Sequence, residues 1–273
     1  MRAIRLAMLA AGTLGTVWAC GRLSPAREKP ARPAATRPRP AVPTFGSTRW
    51  NPRRPYVVHR ATGAVTIDRT PHPKQWKKAM VIRGFRIPKT HRPARSRSEA
   101  MMLWDDRNLY VQIVARDADL RGKFKRRTDP LWEEDVVEVF LKPRKDRGAY
   151  YEFEVNPIGT VMALRIDDRR DGKSLKERSA WETGIVSAVQ VAGTVNDPAD
   201  TDRFYRVILA IPWKRLSHVG GKAPRAGETW TFSFCRYDYA RQYKKAEESA
   251  SAALTTDSFH QYEDYSTLRF AGP

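Results

Sequence analysis

From residue 56 onward the chain is a succession of short runs rich in β-branched and aromatic residues, broken by turn formers and without an amphipathic helical run of useful length. That pattern commits it to an all-β fold. Residues 101–104 and 109–115 flank Asp105-Asp106-Arg107-Asn108, whose composition is that of a hairpin turn. Residues 136–141 and 150–155 make a second pair across the polar segment 142–149. Further strands are predicted over 160–166, 185–191, 204–211 and 229–236; in the third of these, Tyr205, Val207, Leu209 and Ile211 alternate with their neighbours. Brief helices are expected only over 75–80 and after Pro212. Eight or more strands with functional groups on their loops predict an antiparallel β-sandwich of two sheets, immunoglobulin- or jelly-roll-like, and pattern alone leaves a closed barrel open.

The N-terminal part reads differently. Met1-Arg2-Ala3-Ile4-Arg5 is followed by an uncharged stretch, 6–19, and then Cys20. A basic start, a short apolar run and a small residue at the cut are the form of a secretory signal. The run falls short of the roughly 20 apolar residues that a membrane span needs. Val17-Trp18-Ala19-Cys20 resembles the bacterial lipoprotein signature, with Trp18 where a small residue is usual, and the resemblance implies a lipid on Cys20. Ordinary cleavage after Ala19 is the alternative. Residues 20–56 then form a tether whose stretch 24–43 is Pro, Ala and Arg with almost no large apolar side chain, unable to offset the entropy of ordering. The reading is a signal peptide at 1–19, a lipidated tether at 20–56 and a folded domain at 57–273, exported and anchored in the cell envelope at the outer membrane.

The sequence holds 50 basic and 30 acidic residues, a formal charge of +20, yet only 39 and 29 of these lie from Val57 onward. Half of the excess therefore belongs to the signal and tether. Export argues against nucleic acid as a partner, while the cluster Arg121, Lys123, Lys125, Arg126 and Arg127 leaves an acidic polysaccharide open. After Cys20 only Cys235 remains, which excludes an intramolecular disulfide and a cysteine zinc site. His59, His72, His91, His218 and His260 show no metal-ligand spacing.

The most unusual segment is 129–140, where Trp132 precedes Glu133, Glu134, Asp135 and Glu138. On a strand Val136, Glu138 and Phe140 share one face, and Val137, Val139 and Leu141 the other. Glu138 thus sits among apolar neighbours, and a buried carboxylate must find a donor or a cation. On the partner strand Glu152, Glu154 and Asn156 alternate with Tyr151, Phe153 and Val155. Glu138, Glu154 and Asn156 can then share a face, either as ligand contacts or as acids on a half-exposed sheet. Pyranose rings stack a C–H face on an aromatic ring and offer hydroxyls to planar acceptors, so an indole beside carboxylates suits a saccharide.

Leu103-Trp104-Asp105-Asp106-Arg107-Asn108-Leu109-Tyr110-Val111, the segments 132–140 and 150–157, ILAIPW at 208–213, WTFSFCRYD at 230–238 and FHQYEDYSTLRF at 259–270 resemble, in this order, the family 9 carbohydrate-binding module; Ile67-Asp68 with Trp76 resembles its opening strand region. The resemblance spans 67–270 and implies a non-catalytic β-sandwich that grips a glycan end between two aromatic rings. Trp132 matches the first ring, and Phe259 falls where the second, a tryptophan, is found. The resemblance assigns sugar contacts to Trp132, Glu138, Glu154, Asn156, Asp238 and Phe259. Glu154 replaces a basic residue of sugar-binding members, and Cys235 falls near a polar contact position. It requires no cofactor and also implies structural calcium, for which Asp117 and Asp119 are candidate ligands; neither these nor Asn196, Asp197, Asp200 and Asp202 have a diagnostic spacing.

Two other functions are open. A glycoside hydrolase could draw its carboxylate pair from Glu133, Glu134, Asp135, Glu138 and Glu154, although nothing assigns an acid and a nucleophile among them. A related haem-binding sandwich of an electron-transfer chain would use Met102, Met162 or His260 as axial ligands, without a CxxCH motif.

Overall fold

The computed structural model describes residues 48, 49, 51 and 53–272, all within one unit of the chain. The signal region, Cys20 and most of the tether lie outside the described residues. Strand alternation builds the core directly. In β6 (Val136–Lys142) the side chains of Val137, Val139 and Leu141 enter one apolar cluster while Val136 and Phe140 enter another. Its neighbour β7 (Tyr150–Val155) does the same with Tyr151, Phe153 and Val155 against Tyr150.

Thirteen strands are present among the described residues. The first layer runs β8 (Val161–Ile166), β7, β6, β11 (Thr229–Asp238) and β13 (Ser266–Phe270), with β12 (Glu247–Ala250) on the far end of β11. The second runs β4 (Ser98–Trp104), β5 (Asn108–Arg116), β10 (Phe204–Pro212) and β9 (Val186–Ala192), with β3 (Met80–Arg83) beside β4 and β1 (Thr48–Arg49) beside β3. β2 (Tyr56–Arg60) links the layers. Its first half pairs with β13 and its second with β4, so one strand turns the corner of the sandwich. The sheet is not purely antiparallel as expected: the pairs β2–β13, β2–β4 and β1–β3 are parallel.

Between the layers lies the main core. Trp104, Trp213 and Trp230 meet Phe270 edge-on at centroid separations of 5.1–5.9 Å. Such T-shaped contacts put ring edges against π faces and add to the burial energy. The hairpins expected at 105–108 and across 142–149 both form, with Trp104 opposite Leu109 and Leu141 opposite Tyr151. The fold begins ahead of Val57: Thr48 and Arg49 pair with Met80 and Val81, and the buried Tyr56 donates its hydroxyl to Met80 O at 2.6 Å.

Helix is scarce, as the sequence predicts, but its place differs. Residues 73–78 are turns rather than a helix. After Pro212 a 3-10 turn forms over Trp213–Arg215, and the α-helix α1 falls at Leu175–Ser179. Its signal is the Ser174/Glu177 capping box, in which each side chain satisfies the other's backbone amide.

Candidate functional site: an acid-floored cleft over the outer face of the first sheet

The outer face of the first layer is covered, contrary to the half-exposed sheet that alternating acids suggest. Every residue of β6 and β7 is buried. Ala252, Leu254, Phe259 and Tyr265, from the segment between β12 and β13, pack over this face together with Leu131. The cover leaves a cleft of ≈ 490 Å³.

Strand register sets its floor. Glu138 pairs with Glu154 across β6 and β7 and with Cys235 across β6 and β11, while Phe140 pairs with Glu152. Residues two apart share a face, so Glu138, Glu152 and Glu154 converge under the opening. One carboxylate oxygen from each lies within 4.8 Å of the others. They are 2%, 4% and 0% exposed. Glu152 Oε2 and both oxygens of Glu154 have no hydrogen-bond partner. Burial, and then the neighbouring acids, push the Glu138 and Glu154 carboxyls well above the usual range. Burial and Glu138 raise the Cys235 thiol in the same way.

The walls come from three other elements. The 3-10 turn Leu131–Glu133 carries Trp132, which remains half-buried in the cleft; Leu131 anchors the turn, and Tyr239 donates its hydroxyl to Trp132 O at 2.8 Å. Opposite elements contribute Phe259 and His260 from the covering segment and Leu175 and Arg178 from α1. His260 Nδ1 is hydrogen-bonded to the Tyr150 hydroxyl at 2.7 Å and lies 3.8 Å from Glu152 Oε2.

The cleft therefore collects Trp132, Glu138, Glu154 and Phe259 of the residues named from sequence. Phe259 does not offer a free plate. It is 4% exposed and packs edge-on against Tyr237 at 5.0 Å and Phe140 at 6.5 Å. Glu152, read from sequence only as part of the alternation, belongs with Glu138 and Glu154; its spacing of two from Glu154 carries that signal.

Asn156 and Asp238 do not line the cleft. β7 ends at Val155, and the Asn156 amide holds the next turn: Nδ2 donates to Phe124 O at 2.8 Å and Glu134 Oε1 at 2.6 Å, and Oδ1 accepts from Thr160 N. Asp238 is 2% exposed and lies 3.3 Å from the Arg236 guanidinium. Two of the acids beside Trp132 also fix loops. Glu134 accepts from Phe124 N, and Asp135 accepts from Arg121 N and Tyr239 N.

Asp117 and Asp119, the residues named for calcium, are both paired with guanidinium groups. Arg236 Nη2 reaches Asp117 Oδ2 at 2.7 Å, with both side chains 1% exposed. Arg241 reaches Asp119 at 2.9 Å, and Arg121 at 3.5 Å. Among the axial-ligand candidates, Met102 lies in the inter-sheet core and Met162 in the outer cluster, so the fold does not bring these two together. The basic run 121–127 is partly committed as well: Arg126 pairs with Asp129 at 2.8 Å, and Arg127 donates to the carbonyls of Ser179 and Trp181.

Two solved structures of family 9 carbohydrate-binding modules from Caldicellulosiruptor kristjanssonii share this fold. The one in complex with cellotriose is 16% identical with a TM-score of 0.53, covering 80% of this chain and 94% of its own. The one in complex with glucose is 16% identical with a TM-score of 0.51, over 80% and 96%. Exoglucanase XynX of Acetivibrio thermocellus is 30% identical over 122 residues, which are 45% of this chain and 9% of that protein's length. Residues 67–272 match the model of the "Carbohydrate family 9 binding domain-like" family, and the chain belongs to that family.

Proposed function

We propose that this domain binds carbohydrate without transforming it, holding a sugar ring against Trp132 and accepting its hydroxyls on the cleft-floor carboxylates. The observation that carries this reading is the cleft itself, in which a half-buried indole stands beside buried acceptor oxygens that lack donors. An unpaired buried acceptor is costly, and a ligand hydroxyl removes the deficit. A saccharide brings several such donors beside an apolar C–H face. Because relatives of this fold were solved with cellotriose and glucose, β-linked glucans are the first ligand class to try.

The carboxylate geometry supports binding over hydrolysis. Glycosidases place two carboxyl groups on either side of the scissile bond, roughly 5–5.5 Å or 6.5–9.5 Å apart. Here Glu138, Glu152 and Glu154 stand together on one floor, on two adjacent strands, rather than on two sides of a cleft. Export by the N-terminal signal and a lipid on Cys20 would hold the domain at the cell envelope, where it meets polysaccharide. The deciding experiment is a glycan array with the wild type and Trp132→Ala, paired with a sugar-release assay. Binding to neutral glycans that Trp132→Ala abolishes is expected, with no release of sugar. Binding untouched by Trp132→Ala, or release that Glu138→Gln abolishes, overturns the proposal.

A further inference from the structure

Three acids in one buried patch must either hold protons or meet a positive partner. On the cleft floor the built-in cations are engaged elsewhere: Arg178 bonds Asp171 at 2.7 Å, Lys173 bonds Asp167 at 2.6 Å, and His260 Nδ1 is bonded to Tyr150. Glu154 is fully buried and has no donor on either oxygen. The same molecule solves the same problem differently a short way along the sheet. Asp117, Asp135 and Asp238 also lie within 4.8 Å of one another, and there the Arg236 guanidinium sits 2.7 Å from Asp117 and 3.3 Å from Asp238. The aspartate cluster carries its own guanidinium, whereas among the described residues the glutamate cluster has only the His260 imidazole, 3.8 Å from Glu152 and already bonded to Tyr150, and no cation at Glu138 or Glu154.

We propose that Glu138, Glu152 and Glu154 form a binding site for one divalent cation of the calcium class, whose open coordination positions face the cleft and engage vicinal hydroxyls of a bound saccharide. Only the saccharide clause rests on the carbohydrate reading above. The geometry fits a hard cation. Calcium takes oxygen ligands at about 2.3–2.6 Å, so oxygens on opposite sides of one ion stand about 4.6–5.2 Å apart. The three glutamates, within 4.8 Å of each other, can thus all touch a single ion. They are also pre-positioned, because Glu138 and Glu154 are direct partners in the β6–β7 ladder and Glu152 follows two residues along β7. A buried acidic floor that opens on a cleft matches a hard cation that keeps part of its shell for water or hydroxyls. Bound there, the ion would offset the repulsion among the three carboxylates and turn an acidic floor into a sugar-hydroxyl ligand site.

The test is calorimetric titration of the EDTA-treated full chain with calcium chloride in the absence of any sugar, with thermal unfolding recorded alongside. One ion per chain and a Tm that rises with calcium are expected. Glu152→Gln and Glu154→Gln, isosteric changes that leave the packing in place, should each weaken calcium binding at least ~10-fold. No heat and no Tm shift in the wild type up to ~10 mM calcium, beyond the range of weak extracellular calcium modules, overturns the site. Calcium binding that survives in both variants overturns it too. The saccharide clause is read separately: glycan binding in calcium that EDTA removes supports it, and glycan binding undiminished by EDTA overturns it. Calcium binding with no glycan bound under any condition leaves the ion site standing and sinks the carbohydrate reading.

Discussion

Glu138 on β6 faces Glu154 on β7 as a direct cross-strand pair, both carboxylates buried on the side of the sheet that the segment between β12 and β13 covers. Two acids opposite each other on adjacent strands ionise together only at a cost, so burial and the neighbouring acids push both carboxyls up. A fold retains such a pair at a stability penalty, which is what a binding site requires of its scaffold.

Removing half of that pair should therefore stabilise the ligand-free protein. Glu154→Gln keeps the shape of the side chain and supplies an amide that can donate to Glu138 or Glu152. In urea unfolding with EDTA, at neutral pH, the variant should gain about 1 kcal/mol. A lower midpoint than wild type would mean that the Glu154 carboxylate makes a stabilising contact in the ligand-free state.

Trp132→Ala should separate binding from folding. The ring is half-buried and its turn is anchored by Leu131 and by the Tyr239 hydroxyl, which bonds the Trp132 backbone rather than its indole. Calorimetry with a β-glucan oligosaccharide should show a loss of about 2 kcal/mol or more, the scale of an aromatic anchor. Far-ultraviolet circular dichroism should be unchanged.

Arg236→Met should have the opposite character, a large loss of stability. The Arg236 side chain is 1% exposed and bonds Asp117 Oδ2, Arg116 O and, at longer range, Ser98 Oγ, with Asp238 alongside. Taking the cation away leaves buried acids without their counter-charge, a change that costs about 3–5 kcal/mol. Thermal unfolding should show a fall in Tm many times larger than that of Arg126→Met, whose partner Asp129 it holds from a largely exposed position.

Ser174→Ala should loosen one wall of the cleft. The Ser174 hydroxyl caps α1 by accepting from Glu177 N, and α1 contributes Leu175 and Arg178 to the lining. Loss of such a cap costs about 1 kcal/mol. Denaturant unfolding should detect it, and Ser174→Asp should restore most of the loss because Asp is an equally good cap.

The all-β class, the hairpins at 105–108 and 142–149, and the two-sided character of β6 follow from local alternation and turn chemistry, which act between neighbours along the chain. The same local pattern set Glu138 and Glu154 on one face and Trp132 just ahead of them. What alternation cannot reveal is which face is covered and by what. That depends on the segment between β12 and β13, far away in sequence, folding over β6 and β7; it made the outer face a cleft and drew Phe259 into the packing. Tertiary structure also decided the fate of the acids. Asn156 continues the alternation of Glu152 and Glu154, yet the turn after β7 claimed it; Asp238 falls on the other face of β11 from Cys235 and is held by the Arg236 guanidinium, while Glu138 and Glu154 were left without a built-in cation. The chain's own residues specify strands and faces, but whether a buried charge has a partner is fixed only when distant segments close around it.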